Sequence, residues 1–246
     1  ISCNAIMSTF KESIISFKVN KINTKYNDPF LVDLIDISFE VKEGEIFGIA
    51  GIAGNGQSEL MNILTGEETL KNPSNIKFYD NNIANLGPKE RRMLSIAFVP
   101  EDRLGHSAIP QLSLSENVLL SQYGGNKFSK FGIIDYKNIK KETENIIKKF
   151  NVITTGSENF AGSLSGGNLQ KFVIGREILS RPKLLIISHP TWGIDAGAEL
   201  TIRQSLIDLS KNGTSIIVIS QDLDELLEIT NRLSVIYKGK LTDPIN

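Results

Sequence analysis

EIFGIAGIAGNGQSELMNILTG, residues 45–66, is the stretch on which the fold turns. It opens as a short apolar strand, EIFGIA, and runs straight into the glycine-rich GIAGNGQS (51–58). It continues as SELMNILTG, where Leu60, Met61, Ile63 and Leu64 line a short helix that stops at Gly66. The order is strand, glycine turn, helix. The glycine stretch fits G-x-x-x-x-G-K-[ST] at every defined position but one, because Gln57 stands where the pattern has lysine. Such a loop holds phosphate with successive backbone N–H groups and with the helix N-terminus. The candidate contacts are Gly51, Ala53, Gly54, Asn55, Gly56, Gln57, Ser58 and Glu59, and the Ser58 hydroxyl is also a candidate Mg2+ ligand. A lysine would add a cation, worth ~4 kcal/mol at a surface-like dielectric before desolvation. Its loss weakens nucleotide binding, and weakens transition-state stabilisation more. Taken alone, the stretch is equally consistent with a plain glycine turn before a helix.

Outward from this stretch, the texture is that of an α/β chain. Residues 1–20 have no clear period and are expected to form a linker, tail or loosely attached helix. FLVDLIDISFEV (30–41) alternates near its end and predicts a partly exposed strand pair. Residues 67–100 suggest short strands and turns ending in the strand SIAFVP. SLSENVLLSQ, DYKNIKKETENIIKKFNV and NLQKFVIGREILS carry helical periodicity, and mark a mostly helical insertion. RPKLLIISHP and TSIIVISQD are buried strands; GAELTIRQSLIDLSKNG and DLDELLEITN are helices; RLSVIYKGKL is a final strand or hairpin. Apolar strands alternating with helices predict a mostly parallel sheet covered on both faces. The expected division is an α/β core with an antiparallel β part over 21–110 and 178–246, and a helical part over 111–177.

Composition narrows the function. With 27 basic and 28 acidic residues the formal net charge is -1, which gives no electrostatic case for a nucleic-acid partner. The single cysteine, Cys3, permits no internal disulfide and fits a reducing compartment. No apolar run is long enough to span a bilayer, and the first residues lack the pattern of a signal peptide. The chain begins with Ile rather than Met, and a piece of a longer protein is expected.

A second motif lies at residues 164–171, LSGGNLQK. Ser165 can cap the helix that follows, and Gly166 and Gly167 let backbone amides approach an anion at a helix N-terminus. Here the sequence resembles the ABC ATPase family, whose signature is LSGGQ, and the extended form resembles importers of simple sugars and nucleosides. The resemblance runs from about Tyr26 to the C-terminus. VPEDR (99–103) resembles the Q-loop region, with Glu101 in place of glutamine; LLIISHPTWGID (184–195) resembles the Walker B strand and D-loop; IVISQD (217–222) falls at the switch loop. The resemblance implies a P-loop NTPase core, ATP and Mg2+ as ligands, and Ser165, Gly166, Gly167 and Asn168 as contacts to the γ-phosphate of an ATP held by a facing domain. It also implies an aromatic stacked on the adenine. Tyr26 is the better placed candidate, and Phe30 is the alternative, with core or edge-strand packing as its other reading.

The departures are as informative. Where the family has Asp-Glu at the end of Walker B, this chain has Ser188 and His189; where the family has the switch histidine, it has Gln221. With Gln57, four chemical groups of one site are replaced: cation, metal-supporting carboxylate, general base and switch. A general base alone contributes about 10²–10⁴-fold. His189 is either a substitute base or a structural contact. Glu101 either supplies a carboxylate near Mg2+ or faces a membrane partner. The pattern resembles the second ATPase half of a tandem importer subunit. It implies weak ATP binding in the chain's own site and a signature that serves an upstream ABC domain. It further implies transmembrane permease subunits as partners, a solute-binding protein indirectly, and a peripheral place on the cytoplasmic face of the membrane. A non-transport ABC protein and a non-catalytic scaffold are the competing classes.

Overall fold

The computed structural model describes residues 14–102, 105–122, 128–130 and 133–246. Its elements are β1 (Ile15–Ile22), β2 (Ile37–Lys42), β3 (Ile46–Ala50), α1 (Gln57–Thr65), β4 (Ile76–Phe78), β5 (Asn81–Asn82), α2 (Pro88–Met93) and β6 (Ile96–Val99). There follow α3 (Leu114–Ser121), β7 (Ser129–Lys130), β8 (Ile133–Ile134), α4 (Tyr136–Lys149), α5 (Gly166–Leu179), β9 (Leu184–Ser188), α6 (Ala196–Lys211), β10 (Ser215–Ser220), α7 (Leu223–Ile229), β11 (Arg232–Tyr237) and β12 (Lys240–Leu241).

The central sheet has the order β12-β11-β3-β10-β9-β6 among the described residues. Its strands are parallel from β11 to β6, and only β12 runs antiparallel, as the return arm of a hairpin. IFGIA, LLIIS and SIIVIS are buried at every position, as strands covered on both faces must be. Alternate residues feed two cores. Ile216, Val218, Leu185 and Ile187 pack with Phe172 of α5, Leu206 of α6 and Leu226 of α7. Phe47, Ile49, Ile217 and Ile186 pack with Leu60 and Leu64 of α1 and with Phe17, Val19 and Phe39 of a second sheet. That second sheet is antiparallel, in the order β2-β1-β4-β5.

Three sequence expectations change here. Ile15–Asn20, expected within a linker or loose helix, belong to β1, which pairs with both β2 and β4; residues 1–13 lie outside the described residues. FLVDLIDISFEV supplies one strand, not a pair, and its partner is β1. Phe30 packs in no core: it is 91% exposed. Helix α2 was not foreseen, nor was the small β7–β8 hairpin inside the helical block. Ser113 and Glu116 form a reciprocal capping box that starts α3 after the loop leaving β6.

Candidate functional site

Because β3, β10, β9 and β6 are neighbours and parallel, their carboxyl ends lie along one edge. Register pairs Ser220 with Ala50, Ile219 with Ser188, and Val99 with Ile187. The residues that follow these ends are Gly51, Gln221, His189 and, after Pro100, Glu101. All four motifs of the proposed nucleotide site thus share the sheet edge where open α/β sheets place ligands.

The phosphate loop joins β3 to α1. Gly54 and Gly56 have φ of 80 and 108, a region that side chains rarely adopt, and Gly56 starts α1 with no side-chain cap. The first-turn N–H groups are thereby left for another acceptor. Ala53, Gly54 and Ser58 are exposed, which suits a ligand cradle. Glu59 is buried, and its Oε1 accepts the Val32 N–H at 3.0 Å, so its carboxylate is committed inside the chain. Tyr26 donates its hydroxyl to Glu68 at 2.7 Å, and its backbone N–H is held by Asp33 at 2.7 Å. Burial and Glu68 both push the Tyr26 hydroxyl pKa up.

At the end of β9, Ser188 is buried and offers a neutral hydroxyl. His189 has φ 46, a left-handed value, and its N–H donates to the Ile219 carbonyl at 2.9 Å. Its ring is 8% exposed and meets Trp192 edge-on, with centroids 5.6 Å apart. Burial lowers the His189 pKa, and the charge of Glu101 only partly opposes that shift. That shift favours the neutral imidazole at pH 7. Its NMR titration midpoint is expected below the ordinary ~6.5, and Trp192→Ala, which opens the ring to water, should raise it; a midpoint above 7 would contradict this environment. Gln221 and Glu101 are exposed, and Arg103 of the same motif lies outside the described residues. Among the described residues no group of three or more His, Cys, Asp or Glu is placed to hold a metal. The candidate Mg2+ donors are two serine hydroxyls and one exposed carboxylate. That set is poor for a cation that binds through carboxylates and phosphates.

The signature is in a different condition. Ser165 caps α5, accepting the Asn168 backbone N–H at 3.4 Å and its Nδ2 at 2.9 Å. Asn168 Oδ1 takes the Ile153 N–H at 2.9 Å, so the cap is braced from α4's exit. Gly167 approaches the loop after β9 so closely that a Cβ would lie 2.8 Å from the Gly193 carbonyl oxygen. Gln170 donates to the His189 carbonyl at 3.2 Å, and Lys171 pairs with Asp195 at 2.6 Å while Asp195 caps α6. Lys171 holds the Asp195 carboxyl below its usual range. These ties were not legible in sequence, where Lys171 and Asp195 stand 24 positions apart. Among the described residues no hydrogen bond or ion pair joins Ser165–Asn168 to Gly51–Ser58. The chain's signature and its own phosphate loop are separate surfaces.

Comparison with known proteins shows the family and the fold. The pattern of the family described as "ABC transporter" matches residues 34–192. The nucleoside import ATP-binding protein NupA of Lactococcus lactis subsp. cremoris is 40% identical over 205 residues, covering 83% of this chain and 40% of that protein. The guanosine import ATP-binding protein NupO of Bacillus subtilis is 36% identical over 86% of this chain and 41% of its own. The galactose/methyl galactoside import ATP-binding protein MglA of Pasteurella multocida is 35% identical over 97% of this chain and 46% of its own. The chain spans less than half the length of these relatives. In fold, it superposes on a dimeric post-hydrolysis ATP-binding cassette bound to ADP and Pi with a TM-score of 0.78, at 22% identity, covering 94% of this chain and 98% of that one. With a family match over residues 34–192 and import ATP-binding proteins among its relatives, this chain belongs to the ABC transporter family as an ATP-binding domain.

Proposed function

We propose that the chain is the ATP-binding domain of an importer for nucleosides or simple sugars, and that it works chiefly through its signature. Its own Walker site binds ATP weakly and hydrolyses it poorly. Ser165, Gly166, Gly167 and Asn168 complete the active site of a facing ABC domain, in a head-to-tail pair. In this reading residues 111–177 form the helical part that presents the signature, and 21–110 with 178–246 form the nucleotide-binding core. The pair sits peripherally on the membrane, against transmembrane permease subunits that a solute-binding protein supplies. Among the described residues no helix is long and apolar enough to cross a membrane.

The observation that carries the reading is the contrast between the two anion-facing surfaces. The signature amides are capped, braced and tied to the D-loop. The phosphate loop has lost its lysine, and the end of β9 offers Ser188 and a neutral His189 in place of two carboxylates. Electrostatic stabilisation of phosphoryl transfer needs cations and a base that this site does not hold.

The test is MgATP hydrolysis by this chain alone and by the chain paired with the upstream ABC domain. Negligible turnover is expected alone, and appreciable turnover in the pair. Gly166→Asp sets a carboxylate against the incoming γ-phosphate, and should reduce hydrolysis in the pair by about 100-fold or more. Brisk hydrolysis by the isolated monomer would refute the degenerate-site reading. Unchanged turnover by the Gly166→Asp pair would mean that this signature completes no active site.

A further inference from the structure

The side chain of Gln57 does more than omit a charge. It is 8% exposed and folds back along the phosphate loop. Its Oε1 accepts the Asn55 N–H at 3.2 Å. Its Nε2 lies so near Gly51 that a Cβ there would sit 2.7 Å away. The carboxamide thus reaches from the loop's first glycine to its fifth residue. Asn55 is fixed on its other sides as well. Its Nδ2 donates to the Ile52 carbonyl at 2.8 Å, its Oδ1 accepts the Lys238 N–H at 3.1 Å, and its carbonyl accepts the Gly239 N–H at 2.9 Å. The turn between β11 and β12 therefore holds Asn55 where Gln57 can reach it. The first turn of α1 also carries its own anion, Glu59, anchored on Val32. A helix N-terminus that already holds a carboxylate gains less from phosphate.

We propose that Gln57 is an internal ligand of this loop: its amide oxygen occupies an N–H that a phosphate oxygen would take, and a nucleotide binds only by displacing it. The inference rests on reading Gly51–Ser58 as a nucleotide loop, and it predicts a sign that the mere loss of lysine does not. If residue 57 were only a weak contact to nucleotide, shortening it would lower affinity. As an internal competitor, shortening it raises affinity, since a neutral hydrogen bond no longer has to be broken.

The experiment is titration of the 246-residue chain with a fluorescent ATP analogue carrying a methylanthraniloyl group, in Mg2+ buffer. Gln57→Ala should bind about three- to tenfold more tightly than the native chain. Gln57→Glu keeps the acceptor and adds a negative charge, and should bind more weakly than the native chain. Should the alanine variant not fold, as judged by circular dichroism, Gln57→Ser is too short to reach Asn55 and carries the same expected sign. Equal or weaker binding by the shortened variant overturns the inference and leaves the nucleotide-loop reading standing. Absence of binding by every variant, with Gln57→Lys included, overturns that reading and this inference with it. Hydrolysis in the pair with Gly166→Asp is a separate readout and moves with neither result.

Discussion

Replacing Arg91 by methionine is expected to destabilise the fold by about 3–5 kcal/mol, although Arg91 belongs to none of the sequence motifs. Arg91 is the largest fully buried side chain, at 0% exposure. Among the described residues its guanidinium meets no carboxylate. It donates instead to four backbone carbonyls: Leu86 at 2.9 Å, Ile63 at 2.7 Å, Leu64 at 2.6 Å and Ile83 at 3.0 Å. Ile63 and Leu64 lie in the last turn of α1, where carbonyls have no partner within the helix and where a cation suits the dipole. Burial pulls the Arg91 pKa down to about 10, so the group remains charged at neutral pH. Methionine would fill much of the volume and remove the cost of burying a charge. It would also strand four carbonyls, at ~1–3 kcal/mol each, and the second effect is the larger. At about 2–4 °C per kcal/mol for a chain of this size, the melting temperature should fall by roughly 6–20 °C. Arg91→Lys should fall between, because an ammonium has three donors for four acceptors. Calorimetry checks both. A loss under ~1 kcal/mol would show that water can satisfy these carbonyls. Since α1 carries the phosphate loop at its other end, fraying it should also weaken whatever nucleotide affinity that loop has.

Arg91 also marks the boundary of what the sequence discloses. Strands β3, β9 and β10 are legible because runs of four or five apolar or glycine residues, bounded by turn residues, have few other uses. The helix of PKERRM has no apolar period at all; it exists because Arg91 reaches the end of α1, a tertiary fact. Strand β1 hides for a similar reason. ISFKVNKI puts Lys18, Asn20 and Lys21 on exposed positions, and its two partners lie 15 or more residues further on. At the site, backbone-defined features survive reading, because glycine spacing and a capping serine act locally. What side chains do across space does not survive it. The return of Gln57 onto Asn55, the hold of Lys238 on Asn55 and the Lys171–Asp195 pair are set by the packing of β11, α5 and α6. The residue types of Gln57, Ser188, His189 and Gln221, by contrast, are visible as letters, since their chemistry follows from residue type.

Glu177→Gln is expected to cost about 3–5 kcal/mol as well, and to change how stability depends on pH. Glu177, 1% exposed on α5, bridges two arginines: Arg92 of α2 at 3.0 Å and Arg176 at 2.8 Å. Arg176 reaches the Ser107 carbonyl at 2.8 Å, and Arg92 reaches the Ser121 carbonyl at 3.2 Å and stacks over Phe98 at 4.1 Å. One carboxylate thus ties the helix that begins with the signature to α2, to the end of α3 and to the loop after β6. Burial works to raise the Glu177 pKa, but Arg92 and then Arg176 outweigh it, and the net shift is downward. A carboxyl lowered on folding contributes stability that is fully present above its unfolded value of ~4.3 and is lost as pH falls through the folded value. The native chain should therefore lose stability steeply below about pH 4.3, and Glu177→Gln, with no proton to bind at that position, should show a shallower fall from a lower plateau. The magnitude separates this pair from surface pairs. Lys18 and Glu40 stand 3.6 Å apart with side chains 52% and 38% exposed. Lys18→Ala should change stability by under ~0.5 kcal/mol, because water screens that pair and leaves no buried charge behind. In Glu177→Gln the buried guanidinium of Arg176 and the partly buried one of Arg92 keep their positions with only a neutral acceptor between them. Chemical denaturation of both variants at pH 7 and pH 4 distinguishes the cases, and equal losses at pH 7 would show that the buried triad is no more than a surface pair. On the proposed head-to-tail pairing, in which α5 presents Ser165–Asn168 to a facing domain, the same substitution should depress hydrolysis in the pair under conditions where the variant remains folded, with the deficit growing as the temperature approaches its lowered melting point.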